Sequence, residues 1–434
     1  MNPVPDYASV PVEPQYHPGM HRLAILVAAA TFPLIFMGGL VTSHGAGLSV
    51  PDWPNSYGYN MFTFPPSQWV GGVFYEHTHR LLGTLAGFGS ILLVLWAWGT
   101  GCNPGTRRKL RWWLSMMLAL AGIWLIIRLM APAGTRLQAN STHIVVGLLS
   151  IALILGAAML ARHREPRRWV RWLTVAVLGA VIVQGILGGL RVVWVNLDLA
   201  WIHGCFAQAF FCLTGLMVAV TSRWWQTQAG IQQLAAPGAR RLFTILAWTA
   251  VVLIYLQLVA GAVMRHYQAG LAIPDLPLAY GKFLPPASAD ELAAVNAYRD
   301  SVLNMTRVSM AQVWVHFLHR LGAVMVTAAV LLLVLHVFRR HSAQPRLRRP
   351  AIILLSLLIL QLSLGVFVVL LKKPADIASL HVAVGALTLF TAFYLAVRGA
   401  RLYAGPNPVS DRRSVAPASK PGSVFAPASG ALGT

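Results

Sequence analysis

Acidic side chains are scarce in this chain. Twelve Asp and Glu stand against 34 Lys and Arg in 434 residues, and charged residues make up 11% of the total. A soluble domain carries about 25%, so a water-exposed globule is excluded. The 57% hydrophobic share and a mean hydropathy of +0.63 indicate an integral membrane protein with many spans. Cysteine is equally sparse. Cys102, Cys205 and Cys212 have no metal-ligand spacing and provide no disulfide framework. Residues 1–22 are polar and Pro-rich without a basic leader, so neither a cleaved signal nor a transit segment is expected.

The formal charge of +22 does not indicate nucleic acid. The arginines sit in short clusters between apolar runs: Arg107/Arg108/Arg111, Arg162/Arg164/Arg167/Arg168/Arg171, and Arg339/Arg340 with Arg346/Arg348/Arg349. That is the distribution of cytoplasmic loops in a lipid bilayer. Apolar runs fall at about 23–43, 75–99, 112–130, 141–161, 170–194, 199–221, 241–263, 312–337, 350–371 and 377–398. Each can span a hydrocarbon core. An all-α membrane protein of about ten helices is expected. Counting from a cytoplasmic N-terminus puts every arginine cluster inside, with both termini cytoplasmic and Lys372/Lys373 as a minor exception. The outer segment 264–311 contains Ser288-Ala289-Asp290-Glu291, a capping-box pattern that predicts a surface helix from about Ala289 to Ser301. The tail 404–434 is rich in Pro, Ala, Ser and Gly and is expected to be disordered.

The chain repeats itself. Gly47-Leu48-Ser49-Val50-Pro51-Asp52-Trp53-Pro54, followed by Tyr57-Gly58, matches Gly270-Leu271-Ala272-Ile273-Pro274-Asp275-Leu276-Pro277, followed by Tyr280-Gly281. Each loop leads into a span opening on a His-Arg pair, His79-Arg80 or His319-Arg320. Gln184…Gly188 is echoed by Gln361…Gly365. Two pseudo-symmetric four-helix-bundle halves follow, 23–225 and 241–400. The first carries an additional helix pair at 112–161.

Every even-numbered span opens with a histidine at its outer end: His79, His143, His203, His319 and His381. The residue four later is always small: Gly83, Gly147, Ala207, Ala323, Gly385. Positions i and i+4 share a helix face, so a flat macrocycle ligated by the imidazole could lie against the next turn. Two such helices face to face make a bis-histidine haem site. The same small residues also favour close helix packing, and a lone membrane histidine is commonly a packing residue. The shared pattern favours ligation for His79, His203, His319 and His381, and less so for His143. Glu76 stands one turn before His79, where the second half has His316. A carboxylate there could act as a general base or pair with Arg80, and the two roles are compatible. Arg80 and Arg320 face away from the ligands and are expected at propionates or surface phosphates, with Arg191 as a further candidate.

These residues resemble the haem A synthase family: the 47–54 loop, Glu76-x-x-His79-Arg80, Gln184-Gly185-x-x-Gly188 before His203, His319-Arg320, and His381. The resemblance covers about 23–100 and 170–398. It implies an oxidoreductase that converts haem O to haem A, oxidising a porphyrin methyl group to a formyl group with oxygen from water. It implies a b-type haem cofactor on His319 and His381. Substrate haem O would lie between His79 and His203, with Glu76 beside the reacting methyl. It further implies the bacterial plasma membrane, haem sites near the outer face, a haem O-forming farnesyltransferase as supplier, and a membrane electron acceptor such as quinone. A homo-oligomer is compatible with it. Two departures stand out. The family pattern has eight spans, so the pair at 112–161 is additional. The paired cysteines that some members carry in the first outer loop are absent.

Two other functions remain open on the residues alone. A diheme electron-transfer protein acting with quinone needs only the bis-histidine sites. A repeat-built transporter would need intramembrane carboxylates, which are nearly absent beyond Glu76.

Overall fold

The computed structural model describes residues 16–99, 165–227 and 236–403, with isolated positions between 112 and 122. Apart from those positions the expected pair 112–161, including His143 and Gly147, lies outside the described residues, as does the tail 404–434. Among the described residues, eight helices are long and apolar enough to cross a membrane. They are α1 (Pro18–Ser43), α2 (Gly72–Ala97), α3 (Arg168–Val193), α4 (Leu197–Thr221), α5 (Pro237–His266), α6 (Met310–Arg340), α7 (Pro345–Leu370) and α8 (Ala375–Tyr403). At a rise of about 1.5 Å per residue, even the shortest exceeds the bilayer's hydrocarbon thickness.

Their ends follow local chemistry. Proline opens α1, α5 and α7, where its missing N–H costs nothing. Asn196 caps α4 by accepting from the backbone N–H of Asp198 (2.8 Å) and Leu199 (3.2 Å). Ser309 and Gln312 form a reciprocal capping box on α6. The surface helix runs Ala289–Tyr298 and is followed by a wider turn, Arg299–Leu303. Ser288 caps it by accepting from Glu291 N (3.2 Å), but the Glu291 carboxylate takes the N–H of Ala287 rather than that of Ser288.

Helices α1 to α4 pack as one ring, each against the next and α4 back on α1, and α5 to α8 form a second ring. The rings meet through α1, α4, α5 and α8. Enclosure follows: 56% of the apolar window is buried in α4 and α8, against 22% in α2, α3 and α7, the least enclosed of the described spans. Met20, Val27, Leu93, Val177, Phe210 and Met217 form the first core, and Phe243, Ile254, Leu333, Leu354, Leu389 and Leu395 are central to the second. Ile35, Phe211 and Ala386 join the rings, with Phe211 stacked on Phe390 at 4.5 Å between ring centres. All four histidines that open even-numbered helices stand at one end of the assembly. The arginine-rich helix ends stand at the other.

Candidate functional site

Each histidine ring rests on a glycine of the preceding helix. A Cβ at Gly38 would stand 3.0 Å from Cε1 of His79, one at Gly188 3.1 Å from that of His203, one at Gly261 3.1 Å from that of His319 and one at Gly365 3.2 Å from that of His381. Those separations are tighter than ordinary contact, so a side chain in any of these places would displace the ring. Three of the glycines follow a glutamine by four residues: Gln184, Gln257 and Gln361. Gln184 Nε2 donates to the carbonyl of His203 (3.0 Å), and Gln257 Nε2 to that of His319 (2.8 Å). Gln361 Nε2 stands 3.4 Å from His381 Nε2. In α1 the corresponding residue is Leu34, and the tie reverses, with His79 Nδ1 3.1 Å from the Leu34 carbonyl. The Gln–Gly spacing is visible in the sequence. That the glycine seats the histidine of the next helix is not.

The rings of His79 and His203 face each other inside the first bundle, 6.2 Å apart between centres and nearly perpendicular. Two imidazole nitrogens on one metal at about 2 Å each place ring centres about 6 Å apart. The Nδ1 atoms of His203 and His381 are buried without a hydrogen-bond partner. Paired imidazoles, glycine seats and unpartnered ring nitrogens fit a bis-histidine haem. The small residues one turn further in are less uniform than their pattern. Gly83 is open, with Leu34 Cδ1 nearest at 3.9 Å from an added Cβ, whereas at Gly385 that Cβ would meet Leu258 at 2.8 Å and Gln361 Nε2 at 3.1 Å. Ala207 packs among the apolar residues that join the two rings. Ala323 lies on α6, and its carbonyl accepts from Thr327 Oγ1 (2.7 Å).

Above each pair sits the repeated loop, built twice with the same bonds. Arg80 donates to the carbonyls of Asp52 (2.6 Å), Asn55 (2.8 Å) and Val50 (2.8 Å). Arg320 donates to those of Asp275 (2.8 Å), Leu278 (3.0 Å) and Ile273 (2.8 Å). Asp52 accepts from the N–H groups of Tyr57 (2.7 Å) and Gly58 (2.8 Å), and Asp275 from those of Tyr280 (2.8 Å) and Gly281 (2.9 Å). The hydroxyls of Tyr57 and Tyr280 donate to the carbonyls of Ser49 and Ala272. Gly58 and Gly281 have φ of +75° and +76°, which explains glycine there. Both arginines therefore spend their forks on backbone carbonyls of the loop. The sequence, which placed them at propionates or surface phosphates, carried no sign of that.

The loops differ in what holds them from below. Glu76, 4% exposed, accepts from the N–H of Val50 through Oε2 (2.9 Å) and pairs with Arg80 through Oε1 (2.9 Å). In the second half His316 does the first task, its Nδ1 accepting from Ile273 N at 3.2 Å. Arg191 of α3 reaches the carbonyl of Gly47 through Nη2, and the aligned position in α7 is Val368. The second loop has Arg299 instead, 2% exposed, which donates to the carbonyls of Thr306 (2.7 Å) and Leu271 (3.1 Å) and to the Tyr280 hydroxyl (2.9 Å). Burial pushes the Tyr280 phenol above its ordinary pKa, with the bond from Arg299 opposing that shift. His77, within the same motif as Glu76, turns into the loop, 3.1 Å from Ser56 Oγ and against Phe64 and Trp69.

The chain is similar in sequence to known proteins. A heme A synthase of Rickettsia bellii (strain OSU 85-389) is 30% identical over 141 residues, which is 32% of this chain and 38% of that protein. The chain thus matches well under half the length of that relative. Longer matches exist to the heme A synthases of Shewanella oneidensis, 23% identical over 383 residues (83% of this chain, 91% of that protein), and of Shouchella clausii, 21% identical over 322 residues (74% and 83%). The sequence pattern of COX15-CtaA, "Cytochrome oxidase assembly protein", matches residues 21–124 and 141–393. With most of its length matched, including both loops and all four histidines, the chain belongs to the COX15-CtaA family of cytochrome oxidase assembly proteins.

Proposed function

We propose that the protein is a haem A synthase, an oxidoreductase that converts haem O to haem A with water as the oxygen source. The supporting observation is an asymmetry between two sites otherwise alike. Both bundles carry facing helices with a histidine on a glycine seat, yet Glu76 and Arg191 belong to the first alone. In this reading His79 and His203 hold the substrate haem, and His319 and His381 hold a b-type haem cofactor. Haem held there would supply a redox-active iron able to accept electrons. Glu76 lies one turn from His79, with its carboxylate fixed by Val50 N and Arg80. A carboxylate so fixed cannot swing toward water, and it can receive a proton as the methyl group is oxidised. Arg191 neutralises charge beside it. The electrons leave to a membrane acceptor such as a quinone. Supply of haem O by a farnesyltransferase, a bacterial plasma-membrane location with cytoplasmic termini, and haem sites toward the outer face complete the reading.

A diheme electron carrier would need neither Glu76 nor Arg191. The two readings part on the haems extracted from the purified protein: haem O or haem A beside haem B for the synthase, haem B alone for the carrier. Glu76→Gln removes the charge and keeps one acceptor oxygen for the Val50 N–H, while its amide NH2 no longer accepts from Arg80. It should retain the second-bundle haem and still bind haem O, and stall before haem A. Haem mass analysis of membranes co-expressing the variant with a haem O supply reads the result, and a normal haem A yield refutes the role given to Glu76.

A further inference from the structure

The shortage of carboxylates is uneven. Among the described residues at the arginine end of the bundles, Glu165 is the only acid, and the sequence outside the described residues adds only Asp6, Glu13 and Asp411. Glu165 is already used by Arg167, whose Nε stands 2.6 Å and Nη2 3.2 Å from its carboxylate oxygens. At the same end, arginines converge on the seam between the two bundles. Trp224 and Trp225 lie in the short helix Arg223–Thr227 that follows α4. Arg346, from the start of α7, and Arg398, from the end of α8, both cover the Trp224 ring, at 5.7 and 5.1 Å from guanidinium carbon to ring centre. Arg398 also covers Tyr394 at 5.0 Å and donates Nη1 to the carbonyl of Arg346 (3.2 Å), while its Nε is buried without a partner. Arg401 covers Trp225 at 5.4 Å and donates to its carbonyl from Nε (3.1 Å) and Nη2 (3.0 Å). None of Arg346, Arg398 and Arg401 has a carboxylate within 4.0 Å among the described residues.

We propose that this seam binds the phosphate of an anionic phospholipid. Guanidinium groups lying on indole faces are held in fixed planes, and their remaining N–H edges match a phosphate's oxygens. Indole rings favour the headgroup depth of a bilayer. Basic pockets between transmembrane helices take anionic headgroups in general. The bound lipid supplies the missing counter-charge and bridges the two bundles, since Trp224 belongs to the first and Arg346 and Arg398 to the second. This site is separate from the histidine pairs and does not depend on the reaction they carry.

The test uses the full-length protein in nanodiscs of phosphatidylcholine with or without phosphatidylglycerol, followed by native mass spectrometry of retained lipid. Phosphatidylglycerol should be retained at a saturable stoichiometry and phosphatidylcholine should not. Arg346→Gln with Arg398→Gln should lower that retention about tenfold. Arg348→Gln with Arg349→Gln, exposed arginines of the same helix, should change it by less than about twofold. Equal retention by the two double variants overturns the proposal. So does displacement of the lipid by inorganic phosphate, which would mark a free-phosphate site. Should the first double variant lose its helical circular dichroism, Arg398→Lys decides. It keeps the charge without the fork, so reduced retention supports the site and unchanged retention refutes it.

Discussion

The two proline-containing loops are one structure made twice with different supports. Their backbones share every arginine-to-carbonyl bond, the aspartate turn and the tyrosine strut. Beneath them, the first half has a carboxylate where the second has an imidazole. Both accept the same backbone N–H, so the loop alone does not require an acid. A buried carboxylate is also costly without a partner, and Arg80 meets that cost. That difference is the ground for the role proposed for the acid at position 76. The second loop has its own buried cation, Arg299, which ties it to the longer outer segment through Thr306, Leu271 and Tyr280.

The comparison can be broken at several points. The largest effect is expected at the histidines: His319→Ala or His381→Ala should abolish the low-spin haem spectrum of the second bundle. A spectrum unchanged in either variant would remove the assignment of a haem to that half. The glycine seats should come next. Gly261→Val should empty the second bundle and Gly38→Val the first, each sparing the other, because overpacking costs about 1–3 kcal/mol and falls on the ligand ring. Haem content per polypeptide measures this, and equal losses from both bundles in one variant would show a global folding defect instead.

A sharper test makes the first half resemble the second. Glu76→His should keep the loop, as His316 does, and keep haem binding, while haem A formation is lost. Haem A yield at the wild-type level would leave position 76 a purely structural support. The smallest effects concern the struts. Tyr57→Phe should cost about 1 kcal/mol, the worth of one hydrogen bond. Tyr280→Phe should cost more, about 1–3 kcal/mol, because it also removes a hydrogen bond accepted from the charged, buried Arg299. Thermal unfolding midpoints of the two variants give the order, and a reversed order would separate Arg299 from the loop's stability.

Helix ends were largely legible because hydropathy length is a local property: the run expected at 170–194 is the helix Arg168–Val193, and that at 199–221 is Leu197–Thr221. Caps were legible where they rest on neighbouring residues, as at Ser288. The capping box was only half right because Glu291 found the N–H of Ala287 instead. The expected helix 289–301 ends at Tyr298 because the chain then widens around the buried Arg299.

The sequence by itself determined the membrane class, the internal repeat and the histidines, since composition, spacing and self-similarity need no partner. The tertiary structure decided what those residues touch. Arg80 reaches carbonyls 25 to 30 residues away, and its fork is filled by a loop whose curvature no pattern reveals. Gly38 matters because α2 brings the His79 ring against it, and Arg265 because its guanidinium crosses to the Gly39 carbonyl, 226 residues distant, and to Ser43 Oγ. Such contacts arise only when helices pack. A side chain's partner there is set by the depth and rotation of two helices, and neither is encoded in the local run of residues.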